Sequence, residues 1–328
     1  MKAILVKENQ HMVWTEVPDP IVQPRDVLVR IEAAAVNRAD LMQREGNYPP
    51  PPGCPEWMGL EIAGTIVEIG SLAREKSDWQ VGDKVCALLG GGGYAQYANV
   101  AYDMLMPIPK NCAMEEAAAM PEAFATAYLN LFLEGKAAPG DTVLVTGGNS
   151  GLASVIIPMA NAFGMRTLTT VRSPEKARAI SHLHADRVID TSSEDLVRAL
   201  KQEEDEGHPV AVAIDCIGGE IMGKCLLHLK HGARWIVIAA LNGAQTQIDL
   251  RNIYVRNVRI VGSTLRSRAP EVKAQILASL VREIWPMVES GKIRPTIYSV
   301  LPITQAEQAQ DLLYQSRSVG KVVLTVEH

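Results

Sequence analysis

The chain has 328 residues, 47% of them apolar and 21% charged, with a formal net charge of −5. That length accommodates two domains with separate cores, and the balance is that of an ordinary soluble globular protein. A mildly acidic surface argues against general binding to a nucleic-acid backbone, and no apolar run reaches the ~18 residues of a membrane-spanning helix.

The start, "MKAILVKENQ", turns polar at Lys7, too early for a secretory signal. The next hundred residues read as β-rich. "DVLVRIEAAAV" and "GLEIAGTIVEIG" have strand composition, and glycines and "VGDKV" punctuate them as turns. Between these strands lies "NRADLMQREGNYPPPPG", a polar, turn-rich stretch in which four prolines stiffen the loop after Tyr48. Tyr48 is a candidate for orienting a substrate, with simple loop packing as the alternative. In "GGGGYAQYA", Tyr94 and Tyr97 follow a glycine run; packing accounts for Tyr97 as well as a site role does, and for Tyr94 only slightly less well.

From about residue 123 the rhythm changes. "TVLVTG", "RTLTTV", "RVID", "VAVAIDCI", "ARWIVIAAL" and "VRIVGSTL" alternate with helical stretches, which predicts a parallel sheet covered by helices. The most informative segment is "TVLVTGGNSGLASVIIPMANAFG". A strand runs into a glycine-rich turn and then into a small-residue helix, the unit that seats a pyrophosphate on a helix N-terminus. Gly147, Gly148 and Gly151 permit close backbone approach, Ser150 supplies a hydroxyl, and Ala153 lets the helix pack close to its strand. Pro158 falls inside that helix and predicts a kink near Ser154 to Pro158.

The strand after the glycine turn should carry an acid at its tip if the cofactor is NAD, to hold the ribose hydroxyls. Here the tip reads Arg172, Ser173, Pro174, with Lys176 following. Two cations stand where a 2′-phosphate would lie, so NADPH is the expected cofactor. No metal is expected. The first 181 residues hold one histidine, His11, and Cys54, Cys86 and Cys112 lack ligand spacing. Five widely spaced cysteines favour reduced thiols and a cytoplasmic location.

"IYSVLPITQAEQAQDLLYQSRSVGKVVLTVEH" returns to strand, helix and strand, and is too short to stand alone. It is expected to rejoin the first domain. The division is therefore 1–122 plus 266–328 for one domain and 123–265 for a Rossmann dinucleotide-binding domain, in an α/β protein with a doubly wound parallel sheet.

These segments, with "PEAFATAYLNLF", "GSTLRSR" and the closing "GKVVLTV", resemble the zinc-free quinone oxidoreductase branch of the medium-chain dehydrogenase/reductase superfamily over essentially the whole length. The likeness is greatest to the stress-inducible NADPH quinone reductases. It implies a GroES-like β-rich catalytic domain into which the Rossmann domain is inserted. Zinc-dependent relatives carry Cys where Asn37 stands and His where Leu60 stands, and they have a four-cysteine loop missing here.

Carried over by resemblance, Asn37 and Thr126 lie at the nicotinamide end. Ser150, Gly151 and Leu152 line the pyrophosphate, and Arg172, Ser173 and Lys176 surround the adenosine phosphate. Ala240, Leu241 and Leu265 flank the nicotinamide, and Lys321 closes over the cofactor. Tyr48 and Asn37 are the catalytic candidates. The chain departs from its relatives at Ala153, Pro158 and Arg172, where Gly, Gln and Gly are common.

The expected reaction is metal-free hydride transfer from NADPH to a quinone. Reduction of the C=C bond of an enone or enoyl thioester is the alternative. A third possibility, of another class, is a cofactor-sensing protein with little turnover. A homodimer is expected, since "VRIVGSTL" at a sheet edge would need covering. No nucleic acid or membrane partner is expected.

Overall fold

The computed structural model describes residues 1–315 and 318–328. The chain divides into two compact units. One comprises Met1–Ala125, Arg266–Gly291 and Pro295–His328, and the other Thr126–Leu265 with Lys292–Arg294.

The first unit is built on a seven-stranded mixed sheet. Its path runs Ile297–Pro302, Lys321–Thr325, Asp26–Val36, Glu61–Ile69, Lys84–Leu88, Leu105–Pro107, with Tyr97–Ala101 also paired to Asp26–Val36. Asp26–Val36 is long because it serves several partners. It is antiparallel to Glu61–Ile69, to Tyr97–Ala101 and, at its end, to Lys321–Thr325, with Val322 opposite Val36. The alternation of apolar and polar residues expected of a half-buried strand fails in "AAAV", because Ala33 to Val36 are buried on both faces. A separate hairpin pairs Lys2–Val6 with Met12–Glu16.

The second unit holds a six-stranded, all-parallel sheet. The spatial order is Arg187–Asp190, Arg166–Val171, Thr142–Val145, Val210–Asp215, Leu229–Val237, Arg259–Gly262. Numbered along the chain this is 3-2-1-4-5-6, the doubly wound Rossmann order. Its core gathers Leu144, Leu168, Ile189, Leu200, Ala213 and Trp235. Capping follows the sequence. Ser173 precedes Pro174–Ala179 and accepts from the Lys176 N–H at 3.3 Å, while Asp195 opens Leu196–Asp205 by accepting from Arg198 N–H at 2.8 Å. Pro158 lies within the helix Ala153–Ala162, five residues after its first.

The last strand is shorter than the apolar run suggested. "VRIVGSTL" pairs only over Arg259–Gly262, and this strand is the outermost of its sheet.

Candidate active site

In the second unit the strand order reverses between Thr142–Val145 and Val210–Asp215. Ligands of open α/β sheets bind outside the carboxyl ends of the strands at such a switch point. The glycine turn is there. Gly147 has φ +72°, and a Cβ on Gly148 would come within 2.5 Å of the Thr169 hydroxyl. The turn is pinned to the neighbouring strand by Gly147 N–H to Thr170 Oγ1 at 3.1 Å and Gly148 N–H to Thr170 O at 2.8 Å. The Ser150 hydroxyl oxygen accepts from Ala153 N–H at 3.1 Å, satisfying a donor at the start of the helix.

Sequence reasoning missed Asp215. Its carboxylate is buried at the switch point and accepts from Thr146 Oγ1 at 2.7 Å, Trp235 Nε1 at 3.0 Å, and the N–H groups of Ile217 and Gly218 at 2.8 and 3.1 Å. One side chain thus ties together the ends of three strands. An Asp closing an apolar run was the available signal.

Most of the other predicted residues of this unit leave the same rim. Ser150, Gly151 and Leu152 follow Thr142–Val145; Arg172, Ser173 and Lys176 follow Arg166–Val171; Ala240 and Leu241 follow Leu229–Val237; Leu265 follows Arg259–Gly262. In a parallel sheet these loops share one edge. Arg172 is exposed and Lys176 half-buried. Burial, and then the Arg172 charge, lower the Lys176 pKa, so the two cations feel each other. Neither forms an ion pair among the described residues, while nearby Glu175 is taken by Arg178 at 3.3 Å. Such an uncompensated pair suits a doubly charged phosphate.

The first unit holds a second constellation. Asn37 closes the strand Asp26–Val36 and opens the helix Arg38–Arg44. Its carboxamide is fixed on both sides: Nδ2 donates to Glu61 Oε1 at 2.9 Å, and Oδ1 accepts from Lys321 Nζ at 2.6 Å. Lys321, 4% exposed, also donates to Val36 O at 3.1 Å and pairs with Glu61, fully buried, at 2.6 Å. All three ammonium donors are therefore engaged within this unit. The other Glu61 oxygen accepts from Glu122 N–H at 2.8 Å.

Asp40 lies beside this network. It is fully buried and accepts from Asn37 N–H at 2.8 Å, Gly59 N–H at 3.1 Å and the Tyr94 hydroxyl at 3.0 Å. Burial raises its carboxyl to about 6 against those three donors. Tyr94 is thereby a core residue that orients Asp40. Tyr97 packs edge-on against His328, with ring centroids 5.6 Å apart.

Tyr48 lies on the loop that follows the helix Arg38–Arg44. Its ring lies over the Arg266 guanidinium, with the Cζ 4.7 Å from the ring centroid. Arg266 donates to Gly90 O at 2.7 and 3.0 Å, to Gln43 Oε1 at 2.9 Å and to Tyr48 O at 3.4 Å. Burial raises the Tyr48 hydroxyl, partly offset by Arg266, and the charge of Glu122 raises it further. Arg266, Glu61, Asp40 and Glu122 all escaped the sequence reading.

Among the described residues, no group of three or more His, Cys, Asp or Glu side chains is placed to hold a metal ion. Nor is any helix long and apolar enough to cross a membrane.

Comparison with known proteins bears on the same regions. Residues 23–110 match the model of the alcohol dehydrogenase GroES-like domain, and residues 183–324 that of the zinc-binding dehydrogenases. A quinone oxidoreductase-like protein 2 homolog of Nematostella vectensis is 30% identical over 305 residues, covering 92% of this chain and 82% of that one. A mouse quinone oxidoreductase is 29% identical over 315 residues, covering 94% and 92%. Among solved structures, an NAD-dependent alcohol dehydrogenase superposes with a TM-score of 0.85 at 27% identity over the whole of both chains.

Proposed function

Since the chain belongs to the quinone oxidoreductase branch of the medium-chain dehydrogenase/reductase superfamily, we propose that it is an NADPH-dependent, zinc-independent quinone reductase. The observation that carries the cofactor part is the glycine turn at the strand switch point, with Arg172 just past the end of the next strand and Lys176 in the first turn of the helix after it. The relatives' names point to the acceptor.

The cofactor supplies a hydride; the protein's part is to hold, orient and neutralise. Ser150, Gly151 and Leu152 line the pyrophosphate. Arg172, Ser173 and Lys176 take the 2′-phosphate. Thr126, Ala240, Leu241 and Leu265 border the nicotinamide. Asn37 presents a carboxamide whose direction Glu61 and Lys321 fix, and Lys321 acts on the cofactor through that carboxamide.

Tyr48, on its rigid proline-flanked loop and stacked on Arg266, offers a planar surface and a hydroxyl for the oxyanion that forms on the acceptor. A quinone needs no Lewis acid to accept a hydride, because its reduced anion is delocalised. Asn37 and Leu60 are not zinc ligands, which suits that chemistry.

We further propose a homodimer formed through the outer strand Arg259–Gly262. Ile260 is 40% exposed on it, and Leu250, Tyr254 and Val255 are exposed on the preceding helix Leu250–Arg256. Pairing two such edges would cover them. A cytoplasmic location follows from the reduced cysteines read in the sequence.

The direct test is steady-state cofactor oxidation with a panel of quinones, enones and enoyl thioesters, using NADPH and NADH. Rapid NADPH oxidation by quinones is expected. Preference for enones or enoyl thioesters would move the assignment to a C=C reductase, and no turnover above a cofactor-only control would favour a cofactor sensor.

A further inference from the structure

The segment "PEAFATAYLNLF" contributes Thr126 to the reading above and leaves one residue unused. In the helix Pro121–Tyr128 every side chain is buried except two, Glu122 and Thr126, both half-buried. They are four residues apart and so share one face of the helix. An otherwise enclosed helix thus presents one acid and one hydroxyl on its open stripe, and the hydroxyl is the one assigned to the nicotinamide end.

The surroundings of Glu122 are equally specific. Its backbone N–H is held by Glu61, but no donor among the described residues reaches its carboxyl. Glu61 faces it from the strand Glu61–Ile69, and Asp40 from the helix Arg38–Arg44. Two cations are near: Lys321 on the strand Lys321–Thr325, committed to Glu61 and Asn37, and Arg266, committed to Gly90, Gln43 and Tyr48. Tyr48 senses the charge of Glu122.

We propose that Glu122 is the proton donor of the reaction, handing its carboxyl proton to the acceptor oxyanion beside Tyr48. The inference rests on the oxidoreductase reading given above. The acceptor takes two electrons and a hydrogen nucleus as hydride. The Glu122 O–H bond then breaks as a new O–H bond forms on the acceptor oxygen, and the carboxylate left behind recovers its proton from solvent along its open side. Burial and the Glu61 charge push the Glu122 carboxyl up to about 8, so it still carries the proton at neutral pH. The arrangement matches a general acid poised near its working pH.

The test has two arms. In cofactor-free protein carrying glutamate labelled with 13C at Cδ, one resonance should titrate near pH 8 and be missing from Glu122→Gln. In turnover with the best acceptor of the panel, the wild-type rate should fall tenfold per pH unit above that pH. Glu122→Gln should be about a hundredfold slower and flat across the same window, with cofactor affinity unchanged, and Glu122→Asp should restore an alkaline limb.

A Glu122 resonance titrating in the ordinary carboxylate range would overturn the proposal. So would an unchanged pH profile in Glu122→Gln with normal turnover, and in that case the oxidoreductase reading would stand. Absence of turnover with every acceptor would remove both.

Discussion

Replacing Lys321 with methionine should lower the stability of the first unit by about 3–5 kcal/mol, the usual loss when one partner of a buried ion pair is removed. Methionine fills most of the volume of the lysine stem, so packing changes little. Lost with the ammonium are a pairing at 2.6 Å to a fully buried Glu61 and hydrogen bonds to Asn37 Oδ1 and Val36 O. Each neutral acceptor left without a donor costs about 1 kcal/mol or more. Glu61 keeps Asn37 Nδ2 and Glu122 N–H as donors, which places the expected loss toward 3 rather than 5 kcal/mol.

The assay is equilibrium unfolding in urea followed by tryptophan fluorescence. Trp14, Trp57, Trp79 and Trp285 all belong to the first unit and Trp235 to the second, so the signal reports chiefly on the affected region. Adding Glu61→Gln to Lys321→Met removes the stranded charge and should recover most of the loss. A single variant within 1 kcal/mol of wild type, or a double variant no better than the single, would refute the reasoning.

Arg172→Ala should weaken NADPH binding about 10- to 100-fold while leaving NADH within about threefold, as expected for a charged hydrogen bond to a phosphate that only one of them carries. Fluorescence titration measures both, and equal losses would reject the phosphate assignment. Tyr48→Phe keeps the ring over Arg266 but removes the hydroxyl. Turnover of enones, whose enolate is less stabilised, should drop about a hundredfold and that of quinones only a few-fold; equal effects on the two acceptor classes would count against an oxyanion role. Ile260→Glu puts a charge on the outer strand of the parallel sheet and should shift sedimentation from dimer to monomer. A wild-type chain that sediments as a monomer would sink the edge-pairing model.

What was legible in the sequence was local. The turn after Thr142–Val145 announced itself because glycines, strand and helix sit within a score of residues, and a parallel sheet followed from alternating elements, though not its 3-2-1-4-5-6 order. Arg172 and Lys176 were visible for the same reason. The polar network of the first unit was not. Lys321 meets Val36 across 285 residues, and Arg266 meets Tyr48 across 218. No periodicity marks such pairs, and a buried Glu in "GLEIAGTIVEIG" reads as the solvent side of a strand until its partner is known. "VRIVGSTL" was over-extended for a related reason: an apolar run shows burial, but only pairing shows where a strand stops.

The weave of the first unit bears on how the chain is made. Residues 126–265 are contiguous and can collapse as soon as they are synthesised, whereas the strand Lys321–Thr325 joins Asp26–Val36 only after the chain has grown by 285 residues beyond Val36. At ~5–20 residues per second that delay is about 15–60 s. Throughout it, the stretch from Ala33 to Val36 offers an unmated, wholly apolar backbone edge. On the ribosome, then, this protein passes through a half-zipped state that invites holdase chaperones, and its output should depend on them more than the stability of the finished molecule would suggest.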